Sequence, residues 1–556
     1  MRTEDDKTLN CSQKGGNKMK NTKKALALLL AIVMVVGLVA CASKEEASAP
    51  AEAPEPKETA AAEDVAEKGV SQAEEGETLN YKKNIVLAHH QSNEVVCPQD
   101  AASGMQEMMA LMQFNRLVSF DTADQELKPM LAESYKSEEG GKIWTFNLKQ
   151  GVLFQNGEEM TADDVLYTYE RAMEKGVVTA GWADPIDKIE AVDDYTVKMT
   201  LKNGNQDYAF QLGDASASIL NREACEADPE MGCAIGTGGW KIKEFVANDY
   251  TVYERFDDSF VWEGIGLNPT ETITIKYMAD DNARMIGVQS GEIDIGFIAN
   301  NAEFYNYQEM EGVEPVLFAL WSCDYVGMNA NCEYFQDENV RKAIAYAINK
   351  DEALEIINNG LGLTAKSYWC PDALGYTENF EENYTYDLEK AREYMAKSAY
   401  PDGFTVRLTT IGAYSLYAET VQAQLAQIGI NCEVDLTDSP GMNEQGRAGE
   451  HELFIWNNTM QAYSDRMVNY ITTDAAKNFA KISNETINQL MIDAAAEEDP
   501  AVRAELYQQV QEELNSECYI VPMFYAYLSN LVRDNVEGYV FSNSGDYLYN
   551  VRAVVE

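Results

Sequence analysis

One switch of periodicity restricts this chain more than any other feature. Ala418, Val421 and Leu425 recur at helical spacing, Gly429 stops them, and Ile430, Cys432, Val434 and Leu436 then alternate as a strand. A helix must bury one stripe and a strand one face, so a helix leading straight into a strand is α/β grammar. The pattern recurs. Asn84 to Ala88 is the short apolar run of a buried strand, and it ends in polar His89, His90, Gln91 and Ser92, side chains delivered to a cleft edge. Met105 to Phe114 reads as a helix. Val340, Ile344, Ala347 and Ile348 form a second stripe. Asp499 is an N-cap and Pro500 a first helical residue, opening a helix that carries Val502, Leu506, Val510 and Leu514. Tyr519 to Tyr525 and Val551 to Val554 read as late strands.

An intervening region has its own signature. Trp144, Phe146 and Leu148 alternate with Thr145 and Asn147, a half-buried strand. Gly151 and Asn156-Gly157 mark turns around a second short strand. Thr161 then starts a helix, with Asp163 and Asp164 in the first turn to complement its dipole. A chain of 556 residues exceeds what one core serves, so two or three lobes are expected.

Charge and cysteine content narrow the function classes. A net charge of -49 argues against nucleic acid, whose phosphates need Lys and Arg to displace their counterions. An apolar fraction of 46% with 31 tyrosines indicates a folded globule rather than a disordered acidic chain. Besides Cys11 and Cys41 there are Cys97, Cys225, Cys233, Cys323, Cys332, Cys370, Cys432 and Cys518, with no Cys-x-x-Cys pair to suggest zinc or redox chemistry. Cys225 with Cys233 and Cys323 with Cys332 are close in sequence; disulfides and free buried thiols both remain open.

The N-terminus sets the compartment. Lys20, Lys23 and Lys24 precede an apolar run from Ala25 to Val36, which closes in Leu38-Val39-Ala40-Cys41. Basic start, short apolar middle and small residues make a secretory signal, too short for a membrane span. The end resembles a bacterial lipobox, in which the Cys41 thiol receives diacylglycerol and residues 1–40 are discarded. Two or more acyl chains hold because each buried CH₂ is worth about 0.8 kcal/mol. Met19 makes a better start than Met1, since residues 1–18 are polar. Residues 42–79, rich in Ala, Glu, Pro, Ser and Lys, read as a flexible acidic tether of some tens of ångströms, at about 5–6 Å times the square root of its length. Such a tether points to the outer face of a Gram-positive membrane.

The passage Pro129 to Tyr135, Trp144 to Val152 and Thr161 to Val165 resembles the family 5 extracellular solute-binding proteins, the peptide and nickel receptors of ABC importers. Ile189 to Val197 is similar to that family's next hairpin. Gly236-Thr237-Gly238-Gly239-Trp240-Lys241 matches its Gly-Thr-Gly-Pro-Tyr-Lys segment, with Gly239 replacing proline. Phe335 to Asn349, Tyr386 to Ala391 and Gln422 to Ile430 continue the match, which runs from about residue 80 to 556. The resemblance implies a periplasmic-binding-protein type II-like fold, two α/β lobes with hinge crossings plus an extra domain. Lobe I would comprise 80–116, 229–322 and 523–556, the extra domain 117–228, and lobe III 323–522. The partners implied are a peptide or similar small polar solute, the ABC permease and ATPase subunits, and the membrane through the lipid. No cofactor and no resident metal are implied.

A cleft needs aromatic walls and a few orienting polar groups. The candidates are Trp321, Tyr325, Trp369, Trp456, Asn457, Asn458, Thr459, Tyr463 and Asp465, with His89, His90 and Gln91 from the first lobe. Leu453 to Trp456 resembles the family's strand whose end faces the ligand, and Ser367 to Pro371 its pocket loop. Peptide-binding members place an aspartate three residues after that tryptophan; here the position is Thr459, with Asp465 as a substitute. No arginine stands between Leu408 and Glu419, where some dipeptide receptors hold the ligand carboxylate. Free dipeptides are thus disfavoured against longer peptides held by their backbone, because an unpaired buried terminus costs several kcal/mol. No Gly-x-Ser-x-Gly elbow or His-Glu-x-x-His occurs, and Gly236-Thr237-Gly238-Gly239 reads as a tight crossing between lobes, not a phosphate loop. The expectation is a non-enzymatic, lipid-anchored receptor of an ABC importer. The alternatives are a secreted hydrolase on the same tether, a signalling or adhesion lipoprotein, and a receptor for chelated metal or haem using His89 and His90, two imidazoles being a thin ligand set.

Overall fold

The structure is a computed structural model. It describes residues 80–555 except 102, 121–126, 176–180, 299–303, 460–462, 540–547 and 549, and only the backbone of 120, 319–321 and 459. The signal, Cys41 and the tether lie outside the described residues. No described helix is long and apolar enough to cross a membrane.

An eleven-stranded sheet organises the two lobes. In chain order its strands are β1 Asn84–His89, β2 Trp240–Val246, β3 Tyr250–Arg255, β4 Thr272–Tyr277, β5 Ile295–Ile298, β6 Val313–Met328, β7 Gly362–Thr364, β8 Phe404–Ile411, β9 Ile430–Thr437, β10 Leu453–Thr459 and β11 Ile520–Arg533. The spatial order is β9-β8-β10-β6-β11-β5-β1-β4-β3-β2, with β7 beside β11. Each lobe has a parallel centre: β1 runs with β4 and β5, and β8 with β9 and β10. Helices precede or follow these strands, as βαβ connections require.

Two long strands carry the chain from one lobe to the other. β6 has 16 residues and β11 has 14, and they pair antiparallel with two interruptions of register. Val313–Ala319 face Arg533 to Tyr527, and Cys323 to Gly327 face Tyr525 to Ile520. The register shifts by one residue between Asp324 and Tyr325, and it breaks between Ala319 and Cys323. β5 joins β11 on one side of that break, along Ser529 to Val532, and β10 joins β6 on the other, along Ser322 to Met328. An irregularity of this kind bends a strand and weakens pairing locally, which is what a hinge needs.

The extra domain is a separate layer. Its antiparallel sheet runs Ala132–Glu138, Ile143–Leu148, Thr196–Leu201, Ile186–Asp193, with the helix Ala162–Lys175 packed on it. Trp144, Phe146 and Leu148 point into its core. The helix starts where Thr161 accepts a hydrogen bond at Oγ1 from the Asp163 N–H (3.3 Å), and Asp164 Oδ2 accepts from the Thr161 N–H at 2.9 Å.

Two stripes differ from their sequence reading. Ile430 and Cys432 are buried but Leu436 is 51% exposed, because β9 is the edge strand and its far end leaves the sheet's cover. In the helix Pro500–Glu517 the buried face is Tyr507, Val510, Gln511 and Leu514, and Val502 is exposed. Tyr507 and Gln511 are buried because they have partners: Tyr507 Oη donates to Asp207 at 3.2 Å and Gln511 Nε2 to the Gly375 carbonyl at 2.7 Å.

Candidate ligand-binding site

β1 delivers His89 and His90 at its end. His89 is buried, stacked on His90 with ring centroids 4.6 Å apart and tilted against Phe297. Its Nδ1 accepts from the Gln91 N–H at 2.9 Å, so the proton sits on Nε2. Burial, His90 and the Arg284 guanidinium hold His89 well below the usual imidazole range, and burial with Arg284 brings His90 to about 4. Both rings are neutral at physiological pH. Gln91 turns the other way: its Oε1 accepts from the Met105 N–H at 3.0 Å and holds the start of the helix Gly104–Gln113. No described group of three or more His, Cys, Asp or Glu side chains has the arrangement of a metal site.

Adjacent strands of the second lobe bring the main aromatic and amide candidates together. On β6 and β10, Tyr325 lies opposite Trp456, Asp324 opposite Asn457 and Cys323 opposite Asn458. Tyr325 is buried edge-on to Tyr368 and Phe454, and Asn458 Nδ2 donates to the Tyr368 hydroxyl. Trp456 is half-buried at the margin of that cluster. Asn457 Nδ2 donates to the Tyr414 hydroxyl at 2.7 Å, and Tyr414 also bonds Asp324, whose carboxyl burial pushes up to about 7. Trp369 is fully buried in the same core, and its carbonyl accepts from Tyr525 Oη at 2.6 Å. Trp369 and Tyr325 are thus packed residues of the second lobe. Trp321 lies on β6 and Thr459 on β10, opposite Ser322, but their side chains fall outside the described residues.

Tyr463 and Asp465 face the extra domain. Tyr463 stacks on Phe210 with centroids 6.0 Å apart. Asp465 is buried, and its Oδ2 accepts from Asn205 Nδ2 and Gln211 Nε2, each at 2.7 Å. Burial and the neighbouring Asp207 push its carboxyl up to about 6, with the two amides pulling the other way. An aspartate committed in this way is a tie between domains, which leaves the sequence-based role of Asp465 as substitute anchor for a ligand amine without a free oxygen at Oδ2. Asp207 in turn takes the Tyr507 hydroxyl and the Arg503 guanidinium at 3.4 Å.

Four charges missed in the sequence gather where the three bodies meet. Asp214 of the extra domain lies 4.0 Å from Arg466 of the second lobe. Glu107, on the first-lobe helix, interacts with Asp214, Arg466 and Lys477. Its side chain is exposed in part and lies among charges from the other two bodies. Desolvation and the Asp214 charge push it up to about 7 against the pull of Arg466 and Lys477. Burial pushes the Tyr470 phenol up, but Arg466 and Lys477 outweigh it and hold it below its usual range. None of these residues carries a local signal; their partners come from elements far apart in the chain. A cavity of about 730 Å³ opens elsewhere on the second lobe, but Lys342 and Lys390 on its wall are paired with Glu338 and Glu382, and none of the candidates lines it.

Comparison with known proteins agrees with this architecture. The family model for bacterial extracellular solute-binding proteins, family 5 (Middle), matches residues 126–480. The dipeptide-binding protein of Escherichia coli K12 is 25% identical, over 84% of this chain and 93% of its own length. Heme-binding protein A of Haemophilus influenzae is 24% identical, over 79% of this chain and 86% of its own. Among solved structures, the ABC transporter-associated periplasmic binding protein DppA of Helicobacter pylori, in complex with the peptide STSA, superposes with a TM-score of 0.74. It is 23% identical and covers 85% of this chain and 98% of its own. The chain belongs to family 5 of the bacterial extracellular solute-binding proteins, the substrate receptors of ABC importers.

Proposed function

We propose that this chain captures a peptide, held mainly by its backbone, between its two lobes outside the membrane and presents it to an ABC permease. The observation that carries the reading is the pairing of β6 with β11, two crossings whose register breaks between Ala319 and Cys323 and shifts again between Asp324 and Tyr325, beside Trp456 and Asn457. Rotation about such a break opens and closes a cleft, and a ligand touching both lobes favours the closed state. On this reading the lobes take the residues expected from the sequence: 80–116, 229–322 and 523–556 in the first, 323–522 in the second, and 117–228 in the extra domain. The ligand contacts are Trp456, Asn457, Asn458, Tyr463 and Thr459 from the second lobe and His89 and His90 from the first. The absence of an aspartate at Thr459 and the ties on Asp465 Oδ2 favour a longer peptide over a free dipeptide, because neither of the two positions expected to hold the ligand amine offers an uncommitted carboxylate.

Native mass spectrometry of the purified protein, followed by thermal scans against the peptide it carries, tests this. One peptide should co-purify and raise Tm, by about 2.7 kcal/mol of added stability at a hundredfold excess over Kd, and leave the incubation intact. Cleavage of the peptide would instead make the protein a hydrolase. Binding of haem or a chelated metal without any peptide would move the function to the two histidines.

Anchoring at Cys41 is part of the same proposal. Mass spectrometry of the membrane-extracted protein should find a chain that begins at Cys41 with diacylglycerol on its thiol, and Cys41→Ser should lose the lipid while ligand binding is unchanged. A wild-type protein that keeps residues 1–40 and carries no lipid would mean an uncleaved N-terminal helix.

A further inference from the structure

Three cysteines that the ligand site does not use meet in one buried cluster. Cys97 precedes the short turn Pro98–Asp100, Cys225 lies in the helix Arg222–Ala227, and Cys233 in the turn Gly232–Ala234. All three are buried, packed with Phe114 and Leu220. The Cys233 thiol is in hydrogen-bond contact with both Cys97 and Cys225. Gly232 makes the approach possible: a Cβ there would come 1.9 Å from the Ala224 carbonyl oxygen and 2.9 Å from the Cys225 nitrogen, so the turn lies directly on the helix. The other close pair in sequence is not joined in this way: Cys323 lies in one core cluster and Cys332 packs against another.

The surroundings are suited to thiolate chemistry. Arg171 Nη2 lies 3.7 Å from Cys233 Sγ, and the Tyr167 hydroxyl is in contact with Cys225. The hydrogen bond from Cys233, with Arg171 and Tyr167, lowers the Cys225 thiol despite its burial, whereas Cys97 stands at the donor end of the chain of thiols and is raised. Two donors meet at the Cys225 sulfur while the Arg171 cation contacts Cys233 beside it, so of the three thiols Cys225 is the one whose thiolate is favoured.

We propose that Cys225 and Cys233 are a redox pair that closes to a disulfide outside the cell, with Cys97 kept as a thiol. The oxidant is a disulfide, either a small molecule or a thiol-disulfide oxidoreductase. The Cys225 thiolate attacks one sulfur of it, its S–S bond breaks, and one thiolate leaves. The Cys233 sulfur loses its proton to solvent and attacks the mixed disulfide, forming the Cys225–Cys233 bond and releasing the second thiol. Two electrons pass from the protein pair to the oxidant, whose disulfide becomes two thiols. The bond would fasten the helix to the turn that feeds the Gly236–Gly238 crossing.

The full chain is reduced, equilibrated with glutathione disulfide, denatured, alkylated and digested with trypsin. Cys225 and Cys233 share the peptide Glu223–Lys241, whereas Cys97 lies in Asn84–Arg116. The expected product is an unalkylated Glu223–Lys241 lighter by two hydrogens, with Asn84–Arg116 alkylated and Tm raised by a few degrees. Cys233→Ser should abolish the bond and Cys97→Ser should leave it. Alkylation of all three thiols, a Cys97 cross-link as the main product, or a covalent dimer would each overturn the proposal, and the wild-type digest alone decides among them.

Discussion

Replacing Gly238 by alanine is expected to destabilise the junction of the first lobe and the extra domain by about 3 kcal/mol, from forced overpacking plus loss of a buried hydrogen bond. A Cβ at Gly238 would stand 2.4 Å from the Met112 carbonyl oxygen and 2.5 Å from the Gln113 carbonyl carbon. Both are backbone atoms at the end of the helix Gly104–Gln113, and a rotamer change cannot move them aside. The Gly238 N–H donates to the Gln113 carbonyl at 2.9 Å, so separating the two chains breaks that bond. Gln155 depends on the same approach, because its Nε2 donates to the carbonyls of Gln113 at 2.9 Å and Trp240 at 3.0 Å. Gly236 is equally confined, 2.2 Å from the Gln113 oxygen by the same construction. Gly412→Ala is the control: nothing lies within 4 Å of its Cβ position, and the change should stay within about 0.5 kcal/mol. Denaturant unfolding of the two variants checks the difference; equal midpoints would mean that the crossing has slack.

What could be read beforehand follows from how far apart the interacting residues lie. The glycine crossing was legible because close backbone approach writes itself into consecutive residues. Trp144, Phe146 and Leu148 were legible for a similar reason: a sheet face repeats every second residue, and all three are buried. Tyr507 and Gln511 were not, since a polar residue becomes a core residue only when a partner elsewhere accepts its proton, here Asp207 and Gly375. The candidate site divides along the same line. Tyr325, Trp456 and Asn457 are legible as aromatic and polar wall residues, Trp456 through its resemblance to the family's ligand-facing strand, and neighbouring strands bring the three together. Glu107, Asp214, Arg466 and Lys477 belong to three different bodies, and their convergence is a property of the fold alone. Asp465 lies further along from the expected anchor position, and the groups that hold its Oδ2, Asn205 and Gln211, are more than 250 residues away.

Asp465→Ala is expected to loosen the tie between the extra domain and the second lobe by about 3 kcal/mol, because Asn205 and Gln211 would each lose their acceptor in a buried site. Asp465→Asn is expected to do the opposite at neutral pH. Its amide oxygen still accepts from both side chains, and no second anion is buried near Asp207. The pH dependence follows from the raised carboxyl, about 6 in the folded protein against 3.8 for an ordinary aspartate. Between those values the folded state binds a proton that the unfolded state has released. Stability from this group is therefore full below pH 3.8 and is lost as pH rises through about 6. Thermal scans of both proteins should show the wild type falling away from Asp465→Asn between about pH 4 and 7, after which the gap is constant. Parallel curves across that window would mean that Asp465 titrates as an ordinary surface carboxylate and that its contact with the extra domain opens in solution. If the gap appears, the same tie must break or rotate whenever the second lobe swings away from the extra domain. Opening would then be easier above pH 7 than below pH 5, and ligand release, measured by stopped-flow at both values, should be faster at the higher pH.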